Sequence, residues 1–175
     1  LWVGWFGFNA GSALAADGNA GMAAVVTHIS AATASLVWMI MDWSKFGKPT
    51  LIGLVTGTIA GLASITPASG SVGPIGALII GASAGFVCYL FVNVVKNKFK
   101  IDDSLDVFAV HGVGGLIGIL LVAFLVDSNF GGAGYADGLN AISQLLIQLK
   151  GTFAVLVLSV VASIIITYVV KFTVG

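Results

Sequence analysis

The chain contains no arginine and no glutamate, one cysteine, two histidines and three prolines among 175 residues. Each scarcity excludes something. With seven lysines offset by seven aspartates, the charge balance suggests neither nucleic-acid binding nor steering of a charged partner. The lone Cys88 cannot close an internal disulfide and, inside an apolar run, reads as a small packing residue rather than a nucleophile. No HExxH metal helix occurs, and neither a metal nor a cofactor is expected. No initiator methionine, basic n-region or small-residue cleavage pattern precedes LWVGWFGFNAG, so no signal peptide is recognisable and the chain reads as a piece of something longer.

What is present is apolar. Hydrophobic residues make up 58% of the chain and charged residues only 8%, with a mean hydropathy of +1.10. These values lie far outside the range of an ordinary soluble domain and point to an all-α bundle embedded in a lipid bilayer. About 20 apolar residues suffice for one helical crossing. On that measure residues 1–14 form the end of a span, and complete spans cover 18–41, 50–66, 75–95, 104–126 and 139–170. The 47 uncharged residues from Pro49 to Val95 make two crossings, broken at TPASGSVGP by Pro67 and Pro74. The last stretch is long for one crossing and reads as a tilted helix with Lys150 in its outer third.

The lysines test this count, because short cytoplasmic loops collect them. Lys45 and Lys48, then Lys96, Lys98 and Lys100, then Lys171 all fall on one side of the predicted bundle. The opposite loops hold Asp17, Asp127 and Asp137 without a lysine. The C-terminus is therefore expected in the cytoplasm. Trp2, Trp5, Trp38 and Trp43 lie toward span ends, where interfacial aromatics belong. Glycines recur every fourth residue at 53, 57 and 61, at 81 and 85, and at 114 and 118, a spacing that lets helices approach closely in lipid.

Within VFAVHGVGGLIG (107–118), His111 is the one titratable group in an apolar, glycine-rich run. Ionisable groups at membrane depth usually face the bundle interior and mark a pathway. The alternative is a packing histidine satisfied by a backbone carbonyl. Its helix is expected to begin near Ser104, with Asp102, Asp103 and Asp106 in its first turn as N-terminal caps. That count places His111 roughly 10 Å from the helix start. Trp5, Phe8 and Ser12 have ordinary readings as an interfacial aromatic, a core aromatic and a helix-end serine.

WFGFNAGS (5–12), GKPTLIGLVTGTIAGLASITPASG (47–70), GALIIG (76–81) and DDSLDVFAVHGVGG (102–115) together resemble the second half of an ammonium transporter of the Amt/Rh family. The resemblance covers nearly the whole chain. It implies an eleven-helix fold built of two inverted five-helix repeats, of which this chain supplies the second repeat from the end of helix 6 through helix 11. It implies a homotrimer in the plasma membrane with a pore through each subunit, and a missing N-terminal half without which the chain is inactive. By the resemblance His111 is the second of two pore histidines, Trp5 lines the pore, Phe8 belongs to the outer gate and Ser12 to the ammonium recruitment site. The family's first pore histidine belongs upstream of Leu1, so His28 reads as a packing or subunit-interface residue.

The implied activity is transport of ammonium or ammonia, not an enzymatic reaction. Alternatives are an ammonium-sensing membrane domain, a Rhesus-type gas channel, and an intramembrane enzyme using His111 with an Asp or Ser. The enzyme reading is weak because no HExxH metal helix occurs and no acidic residue is predicted at the depth of His111.

Overall fold

The structure, a computed structural model, describes residues 1–175, and every regular element in it is helical. Six α-helices follow in order: α1 (Trp2–Gly11), α2 (Gly18–Phe46), α3 (Leu51–Ile65), α4 (Pro74–Asn93), α5 (Val113–Leu125) and α6 (Ala141–Thr173). A short 3₁₀ turn, Thr66–Ala68, extends α3, and wider π-helical turns extend α4 at Val94–Lys98 and precede α5 at Phe108–Gly112. Five of these segments are long and apolar enough to cross a membrane, which makes the chain a polytopic helix bundle.

Helix boundaries follow local chemistry. Asp17 opens α2 by accepting from the N–H groups of Asn19 and Ala20, and Thr50 opens α3 by accepting from Gly53. Pro74 occupies the first turn of α4, where its missing N–H costs nothing. Asn140 and Ser143 form a reciprocal capping box on α6. Hydropathy placed the end of the second span at residue 41, but α2 continues to Phe46 and stops where Gly47 takes φ +71°. A charge ends an apolar window without ending a helix. Here Asp42 turns inward, 4% exposed, and accepts a hydrogen bond from the Thr50 hydroxyl.

α2 is the spine of the bundle. Gly57 and Gly61 of α3 press on it from one side, Gly81 and Gly85 of α4 from the other. A Cβ at Gly61 or Gly81 would overlap the Ser30 carbonyl, and one at Gly57 or Gly85 would crowd the Ala34 carbonyl one turn later. The Ser30 hydroxyl also donates to the Gly61 carbonyl at 2.9 Å. Gly114 and Gly118 bring α5 equally close to Ser64 on α3. Trp38 differs from its expected interfacial place. It is 5% exposed and packs edge-on against Tyr89, in a cluster with Ala60, Cys88 and Val110. The glycine at position 57 leaves room for its side chain. The string GASAG at 81–85 matches GxSxG in letters. It lies inside α4 with both glycines against α2, not at the strand-to-helix turn which that motif requires.

α6 has no buried residue and packs chiefly on α5. Its 33 residues span roughly 50 Å at the α-helical rise, so in a hydrocarbon core of about 30 Å it must tilt or project beyond it.

Candidate functional site

The site begins with how α1 is held. Asn9 is the one buried residue of that helix. Its amide donates to the Thr27 hydroxyl at 2.9 Å, and Thr27 donates onward to the Ala23 carbonyl. This buried chain pins α1 to α2 and fixes its rotation. Two aromatic faces result. Trp2 and Phe6, four residues apart, rest against His28 at ring separations of 5.2 and 6.2 Å. Trp5 and Phe8, three apart, meet edge to face at 6.1 Å and point the other way.

His111 joins that second face. Its ring stacks on Trp5 at 6.2 Å with planes 15° apart. The Trp5 indole N–H donates to Thr66 Oγ1 at 2.8 Å, and the Thr66 hydroxyl donates to the Leu62 carbonyl. The indole is thus turned so that its apolar face lies on the imidazole. Trp5, Phe8, Thr66 and His111, with Leu1, Gly4 and Ala63, line an open cavity of about 710 Å³. His111 is exposed to it and makes no hydrogen bond within the chain. A second cavity on the other side of His111, about 530 Å³, lies between α5 and α6. His28 and His111 do not meet, since they pack on different faces of α1.

The π-helical turn Phe108–Gly112 carries His111; such turns insert one residue into a helix and re-aim the side chains beyond it. Its start lies four residues later than the expected Ser104. Asp106 takes φ +56°, which no helix continues through. Asp103 is the residue whose carboxylate accepts from Val107, Phe108 and Ala109 at 2.8, 3.0 and 3.4 Å. Asp106 instead pairs with Lys96 at 2.7 Å, and Asp102 is exposed. His111 is therefore one turn, roughly 5 Å, from the helix start, not two. Asp103→Ala is expected to cost about 1 kcal/mol, as loss of an N-terminal cap does. A matching fall in thermal midpoint for the full-length protein in detergent checks this, and an unchanged midpoint refutes it.

Ser12 follows Phe8 by one turn at the end of α1. Its hydroxyl donates to the Phe8 carbonyl at 2.6 Å and is exposed, so its oxygen still has a lone pair for an outside donor. Nowhere do three His, Cys, Asp or Glu side chains converge as a metal would need. Sequence reasoning missed Thr66, Asn9 and Thr27. Thr66 had one signal, a hydroxyl just before the Pro67 break. The other two had none, because their pairing depends on how two helices meet.

Known proteins resemble the chain in sequence and in fold. The family model described as "Ammonium Transporter Family" matches residues 1–175. An "Ammonium transporter" of Aquifex aeolicus is 46% identical over the full chain, which covers 41% of that relative. Among solved structures, Saccharomyces cerevisiae Mep2 superposes with a TM-score of 0.86 at 37% identity, over 98% of this chain and 42% of that one. A protein described as "Sensor Amt Protein" superposes with a TM-score of 0.79 at 35% identity, over 88% and 37%. The chain thus spans about two fifths of the length of these relatives.

Proposed function

This chain belongs to the ammonium transporter family, and on that premise we propose that the protein carrying it moves ammonium across the plasma membrane. The observation that carries the proposal is the Trp5–His111 stack in an apolar groove, with the indole tied back to Thr66. Phe8 offers an aromatic face and Ser12 a hydroxyl acceptor, the pair of interactions that replaces part of the hydration shell of ammonium. Beyond them the groove is apolar. A permanent ion such as potassium meets a desolvation barrier there that it cannot lower, whereas ammonium can leave its proton behind and cross as ammonia. The free imidazole of His111 offers one donor and one acceptor to that neutral species.

The uncovered groove fits a chain whose remaining part closes the lumen over Trp5, Phe8 and His111. The unburied α6 fits assembly as a homotrimer. Lys45, Lys96 and Asp106 gather at one end of the bundle through the Lys96–Asp106 pair and the approach of Lys45 to Asn93. We assign that end, and with it the C-terminus, to the cytoplasm.

Full-length protein reconstituted in liposomes tests the reading. Ammonium flux that is blocked by neither potassium nor sodium, and that rises with the ammonium gradient, is the expected result. The likeness to a sensor supports a second reading, in which the same groove binds ammonium and reports it. Saturable ammonium binding without flux would establish that one instead.

A further inference from the structure

The turn that carries His111 is fastened to α4 by the one salt bridge in the chain, Lys96 Nζ to Asp106 Oδ1 at 2.7 Å. The lysine stands on fixed backbone. It belongs to the π-helical extension of α4, next to the buried Val95, and α4 itself is locked on α2 through Gly81 and Gly85. The aspartate stands on strained backbone. Asp106 holds φ +56°, a left-handed conformation that a residue with a Cβ keeps only where its surroundings enforce it. Its carbonyl accepts the Val110 N–H at 2.8 Å, so the position of Asp106 is passed directly to the turn Phe108–Gly112.

Nothing local accounts for that conformation. The string DDSLDVF (102–108) holds no glycine or proline to break a helix, and the cap of the helix is Asp103, not Asp106. What Asp106 gains by leaving the helix is the lysine. Its Oδ1 is buried and accepts no hydrogen bond, so the Lys96 ammonium is its compensation. The two side chains are 38% and 19% exposed, which shields the pair from water more than a surface ion pair is shielded.

We propose that Lys96 and Asp106 are positioning residues for His111: their ion pair holds Asp106 out of the helix, keeps the turn Phe108–Gly112 wide, and so aims the imidazole at Trp5. A π-helical turn carries one residue more than the α-helical turn that replaces it. Without the pair, Asp106 relaxes toward helical angles and the turn tightens. Ala109 and Val110 stay seated in the core, and the change is taken up at the exposed Phe108 and His111. The imidazole has no hydrogen bond within the chain to hold it in place. The value of that aim for ammonium movement rests on the transport reading; how the aim is set rests on geometry alone.

Crystal structures and liposome flux of three variants of the full-length protein test this. Lys96→Met keeps most of the side-chain length and removes its charge. Asp106→Asn removes the other charge and keeps a residue type that tolerates a left-handed backbone. In both, the Trp5 and His111 ring centroids are expected to separate beyond the 6.2 Å of the stack. Maximal ammonium flux is expected to fall about tenfold, within what misplacement of a reacting group costs. Half-saturation is expected to stay unchanged, because Phe8 and Ser12 are untouched. Lys96→Arg keeps the charge and is expected to retain both the stack and the flux. An intact stack in both charge-removing variants, or a stack lost in Lys96→Arg as well, would overturn the proposal. If the wild type carries no flux the transport reading fails, and the positions of the rings still decide this one.

Discussion

Replacing His111 by alanine in the full-length protein is expected to reduce ammonium flux about 100-fold, the lower end of what a positioned proton-transfer group contributes. The argument rests on where the ring sits. His111 faces the groove, stacks on Trp5 and has both nitrogens free within the chain. Alanine removes the groove's ring whose nitrogens are unengaged within the chain, leaving only the Thr66 hydroxyl, already committed to Trp5 and Leu62, as a polar partner for ammonia. His28→Ala is the matched control. It loses contacts with Trp2 and Phe6 on the opposite face of α1 and is expected to leave flux unchanged. Liposome uptake measured on both variants decides the matter: equal flux in wild type and His111→Ala would remove the residue from the pathway.

Gly61→Val is expected to destabilise the bundle by about 3 kcal/mol, the upper range for overpacking. The obstacle is rigid. A Cβ at position 61 meets the Ser30 carbonyl and the Ala31 and Ala34 atoms of α2, which cannot rotate away as a side chain end would. Separating α3 from α2 also breaks the Ser30–Gly61 hydrogen bond and loosens Gly81 and Gly85, which press on the same turns of α2 from the far side. Gly151→Val in α6 has open space around it and is expected to fall within about 0.5 kcal/mol of wild type, as uncrowded substitutions do. Unfolding of the full-length protein in mixed detergent micelles compares the two. A similar midpoint for both variants would show that the glycine contacts on α2 do not hold the bundle together.

Much of this fold was legible because lipid imposes a simple rule. Backbone groups must be satisfied within each segment, so length and hydropathy alone mark the crossings. The span over 75–95 and the helix Pro74–Asn93 with its π-helical extension agree for that reason. Disagreements fall at charged residues. Asp42 lies inside a helix because Thr50 receives it, and Asp106 delays α5 because its backbone leaves the helical region. The candidate site was legible only in pieces. Trp5, Phe8 and His111 stand out by type and by motif, but His111 lies more than a hundred residues from the other two in sequence.

By itself the sequence determined that this is an apolar, multi-helix membrane chain and that glycines would let its helices pack closely. Those properties follow from composition and local spacing, which act within one segment. The tertiary structure alone decided which carbonyls the glycines meet, that Asn9 and Thr27 set the rotation of α1, that Trp38 is core rather than interfacial, and that Trp5 and not Trp2 faces His111. Each of these depends on the relative rotation of two helices, and a helix of fixed sequence presents a different face to its neighbour with every 100° of turn.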